Sequence, residues 1–274
     1  MKKIIAIDLD GTLLNDDLNI IDESIKSLNL ASNKGYKIVI CTGRPLLGMK
    51  RFLNIINKDK NIVDYLVLLN GASIYSLKDN KCLKSSFLEK NILSKSLEFI
   101  DDNNSYNINL VGMNDNEFIT RKEDKLSKEI IIDAHKNKME IKQISNSQFL
   151  SKKDINKLFY IGDSYTMDLL QSKLEDKFES SVNTVRSSNL IFEILPKYIN
   201  KGTGLLHIAR ENGIRKVDII SIGDELNDIP MFNVSGIKIA MGNGNSLVKK
   251  ESDFITGTNN NLGISEAINW ILNI

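Results

Sequence analysis

The sequence predicts an α/β fold, in which a Rossmann-like parallel sheet carries an inserted α/β domain. Strand and helix signals alternate over residues 1–75, which favours parallel strands joined by crossover helices. Continuous apolar strands return after residue 194, whereas the segment between has shorter apolar runs and more Asn, Ser, Lys and Glu. We therefore expect a core domain formed by residues 1–83 and 195–274, and an inserted domain formed by residues 84–194.

The first part of the core predicts three strands and two helices in alternation. Ile4–Ile7 is an apolar strand, and residues 22–33 have the pattern of an amphipathic helix that starts with acidic residues. Tyr36–Cys41 is the next apolar strand, and Pro45 suits the first turn of the helix that follows. The run YLVLLNGA predicts a third strand that ends in an Asn-Gly turn signal.

The rest of the chain predicts strands of two kinds. Alternation in SYNINLVGM and NEFITR, within the inserted segment, indicates antiparallel strands with one face in solvent. In the second part of the core, the runs VDIISIGD, GIKIAM and FIT predict three further strands. Lys201 precedes an amphipathic helix that Gly213 ends, and Leu262–Ile274 predicts a closing helix.

Composition excludes several function classes. The 274 residues are 42% hydrophobic and 26% charged with a formal charge of +1, which argues against nucleic-acid or anionic-membrane partners. Asp8 and Asp10 interrupt the first apolar stretch too early for a signal-peptide core or a membrane span, so we expect a cytoplasmic protein. Two cysteines cannot form a disulfide framework. The sequence does not indicate an oligomeric state.

Two aspartates follow the first strand, in the segment KIIAIDLDGTLL. Side chains two positions apart on a strand share a face, so Asp8 and Asp10 repel each other unless a cation or a shared proton intervenes. Ligands of open α/β sheets bind outside the carboxyl ends of the strands, and this pair lies at such an end. For this motif alone, a solvated turn beside a helix cap is the alternative.

Groups suited to an anion follow at two other places. Thr42, Gly43 and Arg44 offer a hydroxyl, an accessible backbone amide and a guanidinium at the end of the second strand. Lys201, at a helix N-terminus, would add a positive charge beside amides that already favour phosphate. Taken singly, the first is more typical of a turn with a helix cap, and the second is more typical of a surface lysine.

A further acidic group follows the most apolar strand, in SIGDELNDIPMF. Asp224, Glu225 and Asp228 place three carboxylates within five residues, which is costly without a metal. Hard oxygen ligands suit Mg²⁺, which proteins hold with one or two carboxylates plus water and substrate phosphate. With Asp8 and Asp10, these residues predict a divalent-cation site.

In this order and at these strand ends, the motifs resemble those of the haloacid dehalogenase superfamily and, within it, the Cof-like sugar-phosphate phosphatases. The likeness covers nearly the whole chain. It is carried by DLDGT at 8–12, TGR at 42–44, NGA at 70–72, KG at 201–202, GDELND at 223–228 and IAMGNGNSLVKKESDFIT at 239–256. The resemblance implies a haloacid dehalogenase-like core and an α/β cap domain that sets substrate choice.

The same resemblance implies a Mg²⁺-dependent phosphatase that hydrolyses small phosphate esters, sugar phosphates above all, through an aspartyl-phosphate. It makes Asp8 the nucleophile and Asp10 the general acid and base. It makes Asp8, the main-chain carbonyl of Asp10 and Asp224 the metal ligands, with Asp228 supporting the metal directly or through another residue. The phosphate- and substrate-binding residues it implies are Gly11, Thr42, Gly43, Arg44, Asn70, Gly71, Lys201 and Asn227.

Two other functions stay open on the same residues. A phosphomutase would pass the phosphoryl group to a second sugar hydroxyl, and a binding module would keep the pocket without turnover. A second acidic motif, FYIGDSYTMDLL, carries Asp163 and Asp168 but lacks the Asn-Asp pair, so we expect a turn between a strand and a helix of the cap. Arg186, Ser187 and Asn189 are candidate substrate contacts in the cap.

Overall fold

The structure, a computed structural model, describes residues 3–274. Its first segment alternates strands and helices as predicted and then adds a hairpin that was not predicted. The elements are β1 (Lys3–Asp8), α1 (Asp22–Asn33), β2 (Tyr36–Cys41), α2 (Leu46–Ile56), β3 (Val63–Leu68), β4 (Ser73–Ser76) and β5 (Lys81–Ser85). The two hairpin strands have four and five residues, and the second is mostly exposed, so no apolar run marks them.

The middle segment forms a second set of strands and helices. These are α3 (Lys90–Asp102), β6 (Ile108–Met113), β7 (Phe118–Arg121), α4 (Lys128–Lys136), β8 (Ile141–Ile144), α5 (Asn146–Ser151), β9 (Lys157–Gly162), α6 (Ser164–Phe178), β10 (Val182–Ser188) and β11 (Ile191–Pro196). β6 and β7 are antiparallel, as predicted, but both are buried along their whole length. The expected solvent face was therefore wrong.

Both helices and a loop segment pack against the strands of this second sheet. One face packs against α3 and α6 through residues such as Leu93 and Leu170. On β6, the buried Asn109 amide donates to the Lys125 carbonyl (3.0 Å) and accepts the Ser127 N–H (3.1 Å). A polar residue in an alternating pattern therefore reflects hydrogen bonding to a covering segment here, and not exposure to solvent.

The last segment returns to the first sheet. Its elements are α7 (Lys201–Glu211), β12 (Ile219–Gly223), α8 (Ile229–Phe232), β13 (Ile237–Ala240), α9 (Ser246–Lys250), β14 (Phe254–Ile255) and α10 (Gly263–Leu272). The three predicted strands and the two predicted helices all form. In the first sheet the strand order is β14-β13-β12-β1-β2-β3-β4-β5, and all pairings from β14 to β3 are parallel. The predicted α/β fold class is thus confirmed, with an antiparallel hairpin added at one edge.

The chain divides into two compact units. One comprises the chain up to Gly43, Lys50–Lys84 and Asn200–Ile274, and the other comprises Arg44–Met49 and Ser85–Ile199. The first holds the eight-stranded sheet, with α7 packed on it, and the second holds a six-stranded sheet of order β10-β11-β9-β6-β7-β8. The predicted domain boundaries stay a prediction. Within residues 3–274, every helix is too short or too polar to cross a membrane.

Candidate active site

The site forms where three parallel strands end together. Asp8 is the last residue of β1, and β1 lies between β2 and β12 in the first sheet. Register pairs Asp8 with Cys41 at the end of β2, and Ile7 with Ile222 one residue before the end of β12. Parallel pairing therefore brings the loop after β12, with its carboxylates, beside Asp8.

Three buried carboxylates and one ammonium form the centre of the site. The side chains of Asp8, Asp224 and Asp228 each place an oxygen within 4.8 Å of the others. The Lys201 ammonium donates to Oδ1 of Asp8 and to Oδ1 of Asp228, both at 2.6 Å. Lys201 is only 2% exposed. Three negative charges thus face one positive charge in a place that water hardly reaches.

This imbalance perturbs the acid–base chemistry of the cluster. Burial raises the pKa of Asp8 well above its usual range; the Lys201 charge opposes this, while the charges of Asp228 and Asp224 add to it. Burial and the Asp228 charge likewise raise the pKa of Asp224 to about 7. For Lys201, burial works to lower the pKa, but attraction by Asp228 and Asp8 exceeds it and raises the pKa. The cluster therefore favours an additional cation or proton.

Asp228 fixes the shape of its own loop. Its Oδ2 accepts the backbone N–H groups of Asp224 (2.9 Å) and Glu225 (3.1 Å), which closes the 3₁₀ turn Leu226–Asp228. A Cβ on Gly223 would lie 2.6 Å from the Asp228 carboxyl carbon, so only glycine leaves room for this carboxylate. The buried Asp228 side chain therefore sets where the Asp224 backbone lies.

Lys201 owes its position to the start of α7. Asn200 caps this helix by accepting the Thr203 N–H (2.9 Å), and the Thr203 hydroxyl accepts the Asn200 N–H in return (3.1 Å). A Cβ on Gly202 would lie 2.0 Å from the Pro230 carbonyl oxygen, so the first turn packs directly on α8. This contact places the Lys201 side chain beside the carboxylates of Asp8 and Asp228.

Asp10 lies beyond β1, in a turn. The sequence predicted that Asp8 and Asp10 share a strand face, but β1 ends at Asp8, and the Leu14 N–H donates to the Leu9 carbonyl (2.8 Å) to close the turn. Gly11 has φ +79°, and a Cβ there would lie 2.4 Å from Oδ2 of Asp224. The turn thus packs against the acidic loop, with Asp10 half-buried beside it.

A group of polar residues from three loops lies together nearby. The Thr42 N–H donates to the Val67 carbonyl (2.8 Å), and the Thr42 carbonyl accepts the Asn70 N–H (3.0 Å). Asn70 adopts a left-handed conformation (φ 53°), and its side-chain oxygen accepts from the Asn227 amide (3.3 Å). A Cβ on Gly43 would lie 3.2 Å from the Asn70 amide nitrogen.

The structure places the remaining predicted residues as follows. Gly71 has φ +105°, and a Cβ there would lie 2.1 Å from the Asn200 carbonyl oxygen, so this glycine permits close approach of α7. Arg44 belongs to the second unit, where its guanidinium donates to the Lys136 carbonyl (3.1 Å).

The second acidic motif forms the expected turn in the second unit. Asp163 caps α6 and accepts both the backbone N–H (2.9 Å) and the hydroxyl (2.8 Å) of Thr166. Asp168, on α6, accepts from the guanidinium of Arg186 on β10 (2.9 Å), so this candidate substrate contact is paired within the second unit. Asp163 thus has a structural role at a helix end.

Sequence reasoning missed two residues that the site contains. The Thr12 hydroxyl donates to Oδ1 of Asp224 (2.8 Å), and the Asn243 amide donates to the Gly11 carbonyl (2.8 Å). Thr12 lies in the DLDGT motif and Asn243 in the motif at 239–256, so their place in these motifs could have marked them as site residues. Their partners are 212 and 232 positions away along the chain, and no local pattern indicates such contacts.

The sequence and the fold of this chain are similar to those of known proteins. A family model described as haloacid dehalogenase-like hydrolase matches residues 5–268. Two phosphatases of Bacillus subtilis (strain 168), both described as 5-amino-6-(5-phospho-D-ribitylamino)uracil phosphatases, are similar to this chain. YwtE is 32% identical, covering 98% of each chain, and YcsE is 28% identical, covering 98% of this chain and 96% of its own. A crystal structure of a haloacid dehalogenase-like hydrolase from Bacteroides thetaiotaomicron is 27% identical with a TM-score of 0.85, covering 99% of this chain and 100% of that one.

Proposed function

The chain belongs to the haloacid dehalogenase-like hydrolases, and within this family of enzymes we propose that it is a Mg²⁺-dependent phosphatase of small phosphorylated metabolites. One observation carries the proposal: three buried carboxylates from two distant segments lie within 4.8 Å of one another, with Lys201 between two of them. Such a cluster is costly unless it serves a bound cation and an anionic substrate.

The residues present fit a magnesium ion. Magnesium favours oxygen ligands and is commonly held by one or two carboxylates together with substrate phosphate. Burial first, and the charge of Asp228 next, raise the pKa of Asp224 to about 7, and a dication beside this carboxylate would oppose both by favouring its ionised form. We assign Asp8, Asp224 and the Asp10 main-chain carbonyl as its ligands. When bound, the ion supplies positive charge to the phosphoryl oxygens.

The reaction then proceeds in two halves. The Asp8 carboxylate attacks phosphorus and forms an aspartyl-phosphate, while the bond from phosphorus to the ester oxygen breaks and Asp10 gives that oxygen its proton. In the second half, Asp10 takes a proton from water as the water oxygen attacks phosphorus. The Asp8–phosphorus bond breaks, and inorganic phosphate and the free carboxylate result. Asp8 must be ionised and Asp10 must exchange a proton, so two carboxylates are needed.

Phosphate binding is assigned to the groups that surround Asp8. Lys201 supplies a fixed positive charge for the transferring group, because its ammonium already lies 2.6 Å from Asp8. Thr42 and Asn227 supply a hydroxyl and an amide, and the backbone of Gly11 and Gly43 allows close approach. Asn70 and Gly71 complete this proposed set, and the role of Arg44 stays a prediction.

The substrate class is proposed from chemistry and from the relatives. The two Bacillus subtilis phosphatases are named for an ester with its phosphate on a ribityl chain, which is chemically close to a sugar phosphate. We propose that this chain hydrolyses phosphate esters of sugars or sugar alcohols. A cytoplasmic location and the lack of nucleic-acid and membrane partners stay predictions.

A panel of phosphate esters tests the proposal. The wild-type protein is expected to release inorganic phosphate from sugar phosphates with Mg²⁺ and to lose this activity with a chelator. Asp8→Asn is expected to lower the rate by roughly a thousandfold or more, because the covalent nucleophile is gone. Equal rates with chelator, or an active Asp8→Asn protein, would contradict the proposed chemistry.

A matched pair of variants controls for the loss of an aspartate. Asp224 and Asp163 both follow an Ile-Gly strand end, but only the first belongs to the cluster. Asp224→Asn is expected to abolish the magnesium response, whereas Asp163→Asn keeps it, since asparagine caps a helix as well as aspartate does. Isomerised product in place of released phosphate, with a bisphosphate primer present, would identify a phosphomutase instead.

A further inference from the structure

The side chain of Asn243 joins two loops that are distant in sequence. Its amide donates to the Gly11 carbonyl (2.8 Å), and its side-chain oxygen accepts the Asn259 N–H (2.9 Å). Gly11 directly follows Asp10, the proposed general acid. We propose that Asn243 is a positioning residue that holds the Asp10 turn in its reactive place, an inference that rests on the function proposed above.

A second asparagine holds the far end of the same turn. Asn259 is 5% exposed, and its amide donates to the Leu14 carbonyl (3.1 Å) and to Oδ1 of Asp16 (3.0 Å). Asp10 and Leu14 are themselves paired by an isolated β-bridge. Since Asn259 also donates its N–H to Asn243, the two asparagines form one continuous brace along the turn.

The acidic loop holds the other side of Gly11. A Cβ on Gly11 would lie 2.4 Å from Oδ2 of Asp224, so the turn packs closely against the Asp224 carboxylate. The Thr12 hydroxyl donates to Oδ1 of the same carboxylate (2.8 Å). The Gly11 peptide is therefore fixed between Asp224 on one side and the Asn243 amide on the other. Removing the Asn243 amide therefore releases the Gly11 peptide on one side and leaves its contact with Asp224 in place.

The chemical consequence depends on the leaving group. A general acid contributes roughly 10²- to 10⁴-fold, and a misplacement of about 1 Å costs roughly 10²-fold. An alkyl phosphate needs the proton from Asp10 because an alkoxide is a poor leaving group. p-Nitrophenyl phosphate does not, because p-nitrophenolate leaves without protonation. Displacement of Asp10 should thus slow alkyl esters selectively.

Asn243→Asp is the sharpest variant. It is isosteric and keeps an oxygen to accept the Asn259 N–H, but it puts a carboxylate oxygen in place of the amide that donates to Gly11. Asn245→Asp is the matched control, because it adds the same charge two residues further on. There the side chain only caps α9 by accepting the Leu247 N–H (3.0 Å), which aspartate does equally well.

The measurement is kcat/KM, which covers the steps up to departure of the leaving group. The alkyl ester is whichever of glucose 6-phosphate, ribose 5-phosphate and glycerol 3-phosphate the wild-type protein hydrolyses with the highest kcat/KM. The comparison ester is p-nitrophenyl phosphate. For Asn243→Asp we expect kcat/KM to fall roughly 10- to 100-fold with the alkyl ester and less than about threefold with the comparison ester. Asn245→Asp is expected to change both by less than about threefold.

Each other outcome decides against the inference. An equal fall with both esters would mean that Asn243 only supports the fold, and an equal effect of Asn245→Asp would mean that charge alone is responsible. If Asn243→Asp does not fold, the neutral variant Asn243→Ala is tested instead, and its fall in kcat/KM with the alkyl ester is again compared with its fall with p-nitrophenyl phosphate. A wild-type protein that hydrolyses neither ester would instead overturn the proposed function, and this inference with it.

Discussion

Replacing Lys201 with methionine removes the positive charge at the centre of the acidic cluster. Methionine keeps most of the length and the apolar character of the lysine stem, so the main change is loss of the ammonium. In the structure this ammonium contacts Asp8 and Asp228, each at 2.6 Å, and both carboxylates are buried. The variant therefore leaves two buried acids without their shared partner.

The expected magnitude follows from this burial. Removing one member of a buried ion pair costs about 3–5 kcal/mol, because the remaining charge is left uncompensated. The pKa of Lys201 is raised in the folded protein, so its stabilisation is present in full below the usual lysine pKa and is lost only as pH rises through the raised value. At pH 7.5 we thus expect the whole loss of unfolding free energy. Loss of the fixed charge should also lower kcat/KM by roughly 10²- to 10³-fold.

Urea unfolding followed by the fluorescence of Trp270, which lies in α10 of the first unit, measures the stability change. In chelator the loss should appear in full, and Mg²⁺ at a hundred times its dissociation constant should return about 2.7 kcal/mol. Lys157→Met, which breaks the buried pair with Glu193 (3.0 Å) in the second unit, is the control: it should destabilise, by circular dichroism, without changing magnesium affinity. A stability change under about 1 kcal/mol with kcat/KM within threefold of wild type would refute this reasoning.

Three further changes have defined outcomes. Gly202→Ala should lower kcat/KM about 100-fold, because a Cβ 2.0 Å from the Pro230 carbonyl forces α7 to shift by about 1 Å; steady-state rates near wild type would contradict this. Thr12→Val removes the hydroxyl that donates to Asp224 (2.8 Å), and magnesium affinity measured by calorimetry should fall about 10-fold or more, an unchanged value counting against it. Hydrogen bonds from its lysine partners lower the pKa of Glu117 to about 2, so its stabilisation is present at neutral pH and is lost as pH falls through about 2. Glu117→Gln should therefore cost about 1–2 kcal/mol at pH 7 in urea melts, with a gap from wild type that narrows toward low pH, and a constant gap would show another cause.

Sequence patterns predicted the parallel strands of the first sheet well because each of these strands carries its own apolar signal. The apolar runs Tyr36–Cys41 and VDIISIGD mark buried parallel strands, and the structure places strands there. The edge hairpin was missed because β4 has only four residues, half of them serine, and because β5 is mostly exposed and needs few apolar residues. The solvent-exposed face expected for β6 was wrong because a polar residue in the pattern was taken as exposed. That residue, Asn109, is buried and hydrogen-bonded to the segment that covers it.

The candidate site was predictable in composition but not in its pairing. Residue types and motif order pointed to Asp8, Lys201 and Asp224 before any contact was known. The hydrogen bond that each carboxylate oxygen accepts depends on residues far apart in the sequence, such as Lys201 and Asp8, which are 193 positions apart. It also depends on the path of the backbone at each residue. The Gly11 carbonyl illustrates the limit, because a main-chain carbonyl that accepts a hydrogen bond from the Asn243 amide leaves no mark on local sequence patterns.

Whether Asp228 would contact the proposed metal or support it through another residue can be argued from hydrogen-bonding capacity. Its Oδ1 accepts from Lys201, and its Oδ2 accepts two backbone N–H groups, from Asp224 and Glu225, so both oxygens are engaged. Asp8 and Asp224 each receive one side-chain donor, at Oδ1, from Lys201 and Thr12 respectively. Three donors occupy three of the about four lone-pair sites of the Asp228 carboxylate, which leaves a single site on Oδ1 for an ion, and breaking the bonds at Oδ2 would release the Asp224 backbone. The arrangement therefore favours Asp228 as the residue that holds Asp224 in place, and leaves Asp8 and Asp224 as the side chains best able to ligate magnesium.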